Sequence, residues 1–534
     1  MDDGIEHSYS SAGNVLTIAY NSVNSNSSRV LKGVSMTVRR RAGVLLHPTS
    51  LPGNGGIGCL GPELFRFLDF LSESGFSLWQ VLPLTPPAAG NSPYSSYSAF
   101  AGNPMLIDIE AMVKDGDLPP DTQFDEFSTD RIDFGAVTNH KERLLAMAAA
   151  NFFAQGRTPR LEAFWRFCDS TDWLHDYALF QALKGHFHGQ PWTSWPQDLA
   201  LRDQAACERA SLSLGVEIGV QKYQQWQFWL QWQRVRDYAA ERDIAIVGDL
   251  PIFVSHDSSD VWCNRNLFLL DNTGLPTEVA GVPPDYFSST GQLWGNPLYR
   301  WQEMARDGYA WWIARIRQML TQFDLIRIDH FRGFEAAWQV PADALTAVEG
   351  SWVPGPGAGF FTAVQNAIGS LPFIAEDLGV ITPPVEALRD RFGLPGMKIL
   401  QFAFDSDASN PYLPHHHLTN SVVYTGTHDN DTSYGWAASL RPEVAQAMRE
   451  YLGVTGDDLA DDLIRTCLMS VATDAILPMQ DILKLPTGAR MNLPGTACGN
   501  WGWRMPPQSL TPALAAHYRQ LVKRYGRLAT SKKM

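Results

Sequence analysis

Four short apolar runs end directly on ionisable residues: Val247-Gly248-Asp249, Ile326-Arg327-Ile328-Asp329-His330, Ile374-Ala375-Glu376-Asp377 and Val423-Tyr424-Thr425-Gly426-Thr427-His428-Asp429. A single acidic residue after a strand ordinarily caps the following helix. Four in one chain point to a shared site. Arg327 and Asp329 stand two apart, so on a strand their side chains share one face while Ile326 and Ile328 take the other. A guanidinium beside a carboxylate keeps it ionised, the state a nucleophile requires. The alternative is an ion pair buried in the core, which is costly to desolvate. Glu376 follows Phe373-Ile374-Ala375, apolar surroundings able to raise a carboxyl pKa and make it a proton donor near neutrality. Asp377 is its rival, although one step along a strand turns it away. One ionised and one protonated carboxyl are the equipment for cleaving a glycosidic bond. His428 and Asp429 add a hydrogen-bond donor and a third carboxylate, unless they are a helix cap and its neighbour.

Such a set needs strands whose C-terminal ends meet. From about residue 42, short apolar runs alternate with amphipathic stretches, the pattern of a parallel sheet. Helices are expected at 64–74, 223–242, 311–323, 361–368 and 385–392, with strands at 78–82, 244–247, 325–328, 373–375, 399–402 and 421–424. This suits an α/β protein built as a (β/α)8 TIM barrel, whose chemistry sits at the strand ends. The barrel is expected over 37–525, interrupted by a mainly helical insertion at about 110–220 and a long active-site loop at about 271–299, rich in Gly, Pro, Asn and Thr. Residues 1–36, poor in large apolar side chains, read as a disordered extension, with Met36 an alternative start. Residues 526–534 read as a C-terminal tail.

Composition narrows the function classes. The 534 residues carry 42 basic and 56 acidic side chains, a net charge of −14 that disfavours a nucleic-acid partner. Six cysteines without a CxxC pair fit neither a disulfide framework nor a cysteine zinc site. No run approaches the roughly 18 apolar residues of a membrane span, and no charged start precedes an apolar stretch. The reading is a cytoplasmic protein with no membrane partner. Eighteen Trp, 16 Tyr and 27 Phe hint at carbohydrate, since aromatic faces stack on sugars, although most belong to a core.

The segments Gly248-Asp249-Leu250-Pro251-Ile252, Arg327-Ile328-Asp329-His330-Phe331-Arg332-Gly333, Ala375-Glu376-Asp377-Leu378-Gly379 and Thr427-His428-Asp429-Asn430 together resemble the 4-α-glucanotransferases, or amylomaltases. Ser92-Pro93-Tyr94, Gly281-Val282-Pro283-Pro284-Asp285-Tyr286-Phe287-Ser288, Gly291-Gln292-Leu293-Trp294-Gly295-Asn296-Pro297 and Arg490-Met491-Asn492 agree, and the resemblance runs from about Ala42 to Arg504. It implies Asp329 as the nucleophile forming a β-glucosyl ester, Glu376 as general acid then base, and Asp429 as the residue gripping and distorting the sugar. Arg327 and His428 would line the same subsite, Tyr94 would stack under the ring, and Asp249, Trp294 and Asn492 would contact substrate. Tyr286 and Phe287, with Trp294, offer apolar faces for glucose rings, unless they simply pack their loop onto the barrel.

The implied activity is retaining transfer of α-1,4-glucan segments, from maltooligosaccharides, maltodextrin, glycogen or starch, to the 4-hydroxyl of an acceptor glucan or glucose, with no metal or organic cofactor. An α-amylase-type hydrolase would use the same carboxylates with water. A non-catalytic glucan-binding scaffold would be expected to lack one of them. His415-His416-His417 reads as a solvated loop, because consecutive histidines cannot all face one ion. Trp192-Thr193-Ser194-Trp195 reads as core of the insertion.

Overall fold

The computed structural model describes residues 39–284 and 288–528. The extension at 1–36 therefore lies outside the described residues, as do Tyr286 and Phe287. Twelve strands occur among those described: β1 (Arg41–Leu45), β2 (Leu78–Gln80), β3 (Ala245–Pro251), β4 (Glu278–Val282), β5 (Gln292–Pro297), β6 (Leu325–Asp329), β7 (Ala336–Pro341), β8 (Ser351–Pro354), β9 (Phe373–Ala375), β10 (Gly396–Ile399), β11 (Ser421–Tyr424) and β12 (Asp474–Pro478).

Eight of them, β1, β2, β3, β6, β9, β10, β11 and β12, close into a parallel barrel in strict chain order, with β12 returning to pair with β1. Parallel pairing forces crossovers, and helices supply them. The first, Pro62–Ser74, starts with Pro at its first turn and stops at Gly75, whose φ of 78° suits a residue without Cβ. The helix Ala310–Gln322 buries Trp312, Ile316 and Met319, one stripe at helical spacing, before β6. Among the described residues no helix is long and apolar enough to cross a membrane.

Between β2 and β3 lies a run of helices that includes Phe134–Ala154, Pro159–Asp169, Leu174–His186 and Gly215–Ala240. The last is also a barrel helix, since Trp232 meets Trp79 of β2. Asp117, fully buried, ties the helices together by accepting from Arg160 at 2.7 Å and from the Tyr223 hydroxyl at 2.6 Å. Such a pair is tolerable in the interior because its lone pairs are satisfied. Trp192 and Trp195 are buried.

Three expectations need correction. The span 271–299 is not all loop: β4 and β5 form a hairpin within it, and with β7 and β8 build a four-stranded sheet in the order β5-β4-β7-β8. Glycine and proline hid these strands, and β4's second partner comes only after β6. The strand expected at 399–402 runs instead from Gly396 to Ile399, and Leu400–Phe402 is a single 3-10 turn. The C-terminal tail does not begin at 526. The Arg527 guanidinium is buried and donates to the carbonyls of Arg41, Leu468, Ser470, Ala472 and Thr473.

Candidate active site

The register of β3 against β6 places Asp249 opposite Arg327 and Pro251 opposite Asp329. Strand alternation then decides which side chains enter the lumen. Gly248 faces outward, where a Cβ would fall 2.3 Å from the Phe323 ring, so the close packing of that ring requires glycine. Its neighbour Asp249 points inward. One guanidinium serves two carboxylates: Arg327 Nη1 donates to Asp249 at 2.7 and 2.8 Å, and Nη2 to Asp329 Oδ1 at 2.9 Å. Burial opposes the charge on Arg327, but the two carboxylates outweigh it and hold its pKa well above the ordinary value. Burial likewise pushes Asp249 up to about 6, against the pull of Arg327. The Asp249 side chain is closed off, whereas that of Asp329 remains 29% exposed, so the second carboxylate is the one a ligand can reach.

Tyr94 completes this corner. Its hydroxyl donates to Asp249 Oδ2 at 2.8 Å and its ring stacks on His428, with centroids 5.0 Å apart and planes at 17°. Burial and the Asp249 charge raise the phenol pKa, which keeps it neutral and donating.

Glu376 follows β9, the strand beside β6, with Ile328 paired to Ala375. Its carboxyl accepts two backbone N–H groups, from His330 at 2.6 Å on Oε2 and from Leu378 at 3.1 Å on Oε1. His330 reaches it by adopting a left-handed backbone, φ 52° and ψ 52°, a conformation uncommon for a residue with a Cβ. Burial, then the Asp329 charge, push Glu376 up to about 8, while Arg327 and the two N–H donors pull it down. Asp377 turns the other way, paired to Arg389 and accepting from the Met397 N–H at 2.7 Å.

After β11, Asn430 folds the chain back by accepting from the Thr427 N–H at 2.8 Å. This presents His428 and Asp429, 3.3 Å apart from Nε2 to Oδ1. The Asn492 amide donates to Asp429 Oδ1 at 2.6 Å, and the Asp429 side chain remains 45% exposed. Trp294 of β5 meets the His330 ring edge-on at 4.8 Å. The structure thus gathers Tyr94, Asp249, Arg327, Asp329, Glu376, His428, Asp429 and Asn492, and joins Trp294 to them through His330.

Two contributors had no role in the sequence reading although both stand in its motifs. His330 supplies the N–H on Glu376. Arg490 donates to the Asp429 carbonyl and, at 2.8 Å, to that of Asn492, locking the two segments together. Arg490 bonds only to backbone carbonyls and the turn at His330 is a backbone conformation, so residue type marks neither role. Among the described residues no three His, Cys, Asp or Glu side chains are grouped to hold a metal. His415 and His416 lie near the Ala408 carbonyl on an exposed turn, whereas His417 is buried against Ser470 and the Tyr412 carbonyl.

Residues 46–511 match the family model described as 4-alpha-glucanotransferase. The chain is 49% identical over 499 residues to a 4-alpha-glucanotransferase of Synechocystis, covering 92% of this chain and 99% of that one. It is 48% identical over 502 residues to a 4-alpha-glucanotransferase of Thermus thermophilus, covering 92% and 100%. An amylomaltase from Streptococcus agalactiae, solved with acarbose, superimposes with a TM-score of 0.89 at 37% identity, covering 92% of this chain and all of that one.

Proposed function

The chain belongs to the 4-alpha-glucanotransferase family, and from that premise we propose that Asp329 is its nucleophile, Glu376 its acid and base, and Asp429 the carboxylate that grips the sugar. The observation that carries the reading is the contrast between two carboxyls following paired strands. Asp329 is ion-paired to Arg327 and open to a ligand, whereas Glu376 is buried and retains its proton to about pH 8.

In the first step Glu376 protonates the glycosidic oxygen as Asp329 attacks the anomeric carbon. The reducing-end segment departs and a β-glucosyl ester forms on Asp329. Glu376, now a carboxylate, takes the proton of an acceptor 4-hydroxyl, whose oxygen displaces Asp329 and restores the α-linkage. Asp249 and Tyr94 hold Arg327 and His428 in place, and Asn492 orients Asp429. Trp294 offers a ring face to the donor or acceptor. Tyr286 and Phe287, which lie beyond the described residues, are proposed from sequence alone to help exclude water from the ester. The substrates are α-1,4-glucans of the maltodextrin, glycogen or starch class. Six unpaired thiols support a cytoplasmic location.

Maltotriose tests the reading. Transfer converts two molecules into glucose and maltopentaose, or maltose and maltotetraose, whereas hydrolysis yields only shorter sugars. Asp329→Ala should abolish both while the protein stays folded, because Arg327 loses one ion pair but keeps its two bonds to Asp249. Near-normal transfer in that variant would remove Asp329 from its role.

A further inference from the structure

Arg332 lies three residues beyond Asp329, and its guanidinium meets two partners. Nη1 donates to the carbonyl of Val380, four residues beyond Glu376, and the guanidinium carbon sits 3.5 Å from the centroid of the Trp352 ring. Trp352 belongs to β8, the outer strand of the small sheet, where it pairs with Trp338 of β7. The two rings meet at 5.2 Å and 63°, and Trp338 is itself fixed by donating to the Ala347 carbonyl at 2.9 Å. The Trp352 ring is therefore held by a cation on its face and a second indole beside it, yet 37% of the residue remains exposed. Burying that indole would gain more than leaving it in water. Its exposure, on a strand that Arg332 ties to the loops after both proposed reacting carboxylates, suits an occupant with an apolar face.

We infer that Trp352 is an outer platform for the glucan chain, stacking on glucose units beyond those at the reacting carbon. The C–H face of a pyranose suits an indole, and Arg332 joins this platform to the loops after β6 and β9. The inference rests on Asp329 and Glu376 being the reacting pair. It requires that long substrates gain from Trp352 more than short ones do.

The test compares maltoheptaose with maltotriose as the donor. In Trp352→Ala the ratio of kcat/KM for the long donor to that for the short one should fall about three- to tenfold, the worth of one aromatic stacking contact. Trp352→Phe should restore most of the ratio, because it keeps a ring face. An unchanged ratio in Trp352→Ala would overturn the platform, and so would a phenylalanine variant no better than alanine. Failure of the underlying pair is distinguishable, since it would appear as transfer surviving Asp329→Ala whatever happens at position 352.

Discussion

At the scale of single residues, the site works by giving chemically similar groups different surroundings. Asp249, Asp329, Glu376 and Asp429 all carry carboxyls, but one faces a guanidinium in the dark, one faces it in the open, one sits on two backbone N–H groups and one on an amide. In the proposed mechanism Glu376 must be protonated for the first step, and burial, which pushes it up to about 8, sets where that form is lost. The rate of ester formation should therefore hold below pH 8 and fall about tenfold per unit above it, measured in the pre-steady state. Glu376→Gln should remove that limb and still let a donor with an activated leaving group form the ester. Mass spectrometry should find the adduct on Asp329. An adduct elsewhere, or a basic limb that persists, would refute the assignment. The same shift has a stability consequence of defined sign. Because the folded state holds the Glu376 proton more tightly than the unfolded chain, stability contributed by this group declines as pH rises from about 4.5 to about 8.

At the scale of elements, strands β3, β6, β9 and β11 were legible because each has an apolar core leading into charge, as in Ile326-Arg327-Ile328-Asp329. Strand β1 was not, since Gly43 interrupts it to let Leu78 approach, where a Cβ would meet the Leu78 Cβ at 2.4 Å. Strand β12 contributes only Ala475-Ile476-Leu477 between Asp474 and Pro478, too short a signal beside the helix before it. The β4–β5 hairpin was concealed by its turn-rich composition, and Trp352 by lying on a strand that gains meaning only from pairing with β7. The site residues were more legible than their supports: acidic side chains after strands are visible in sequence, whereas the His330 turn and the Arg490 clasp depend on backbone geometry. Strand spacing also makes a prediction. Gly248→Ala forces a Cβ into the Phe323 ring and should destabilise by about 1–3 kcal/mol. Adding Phe323→Leu should recover part of the loss in thermal unfolding, and no recovery would mean the clash lies elsewhere.

At the scale of the whole molecule, the barrel is fastened where its first and last strands meet. Arg41 binds Asp474 through Nε at 2.8 Å and Nη2 at 2.6 Å, and Arg527 spans the carbonyls at the base of both strands. Replacing Arg527 by Met takes a donor from five carbonyls, of which Thr473 keeps the Arg41 N–H and Leu468 and Ser470 keep Arg40, and the melting temperature should drop by about 2–5 °C. A variant as stable as the parent would show that the staple is dispensable. The seam also bears on synthesis. Its partners are 433 positions apart, so at about 5–20 residues per second the first strand waits about 20 to 90 s on the ribosome for the last. Until then β1 offers an open edge, the kind of template on which chains aggregate. The strands that carry the carboxylates emerge during that interval, but the ring that fixes their mutual positions is completed only when β12 and then Arg527 arrive, so a nascent chain holds every proposed reacting carboxylate before it holds the closed barrel that aligns them.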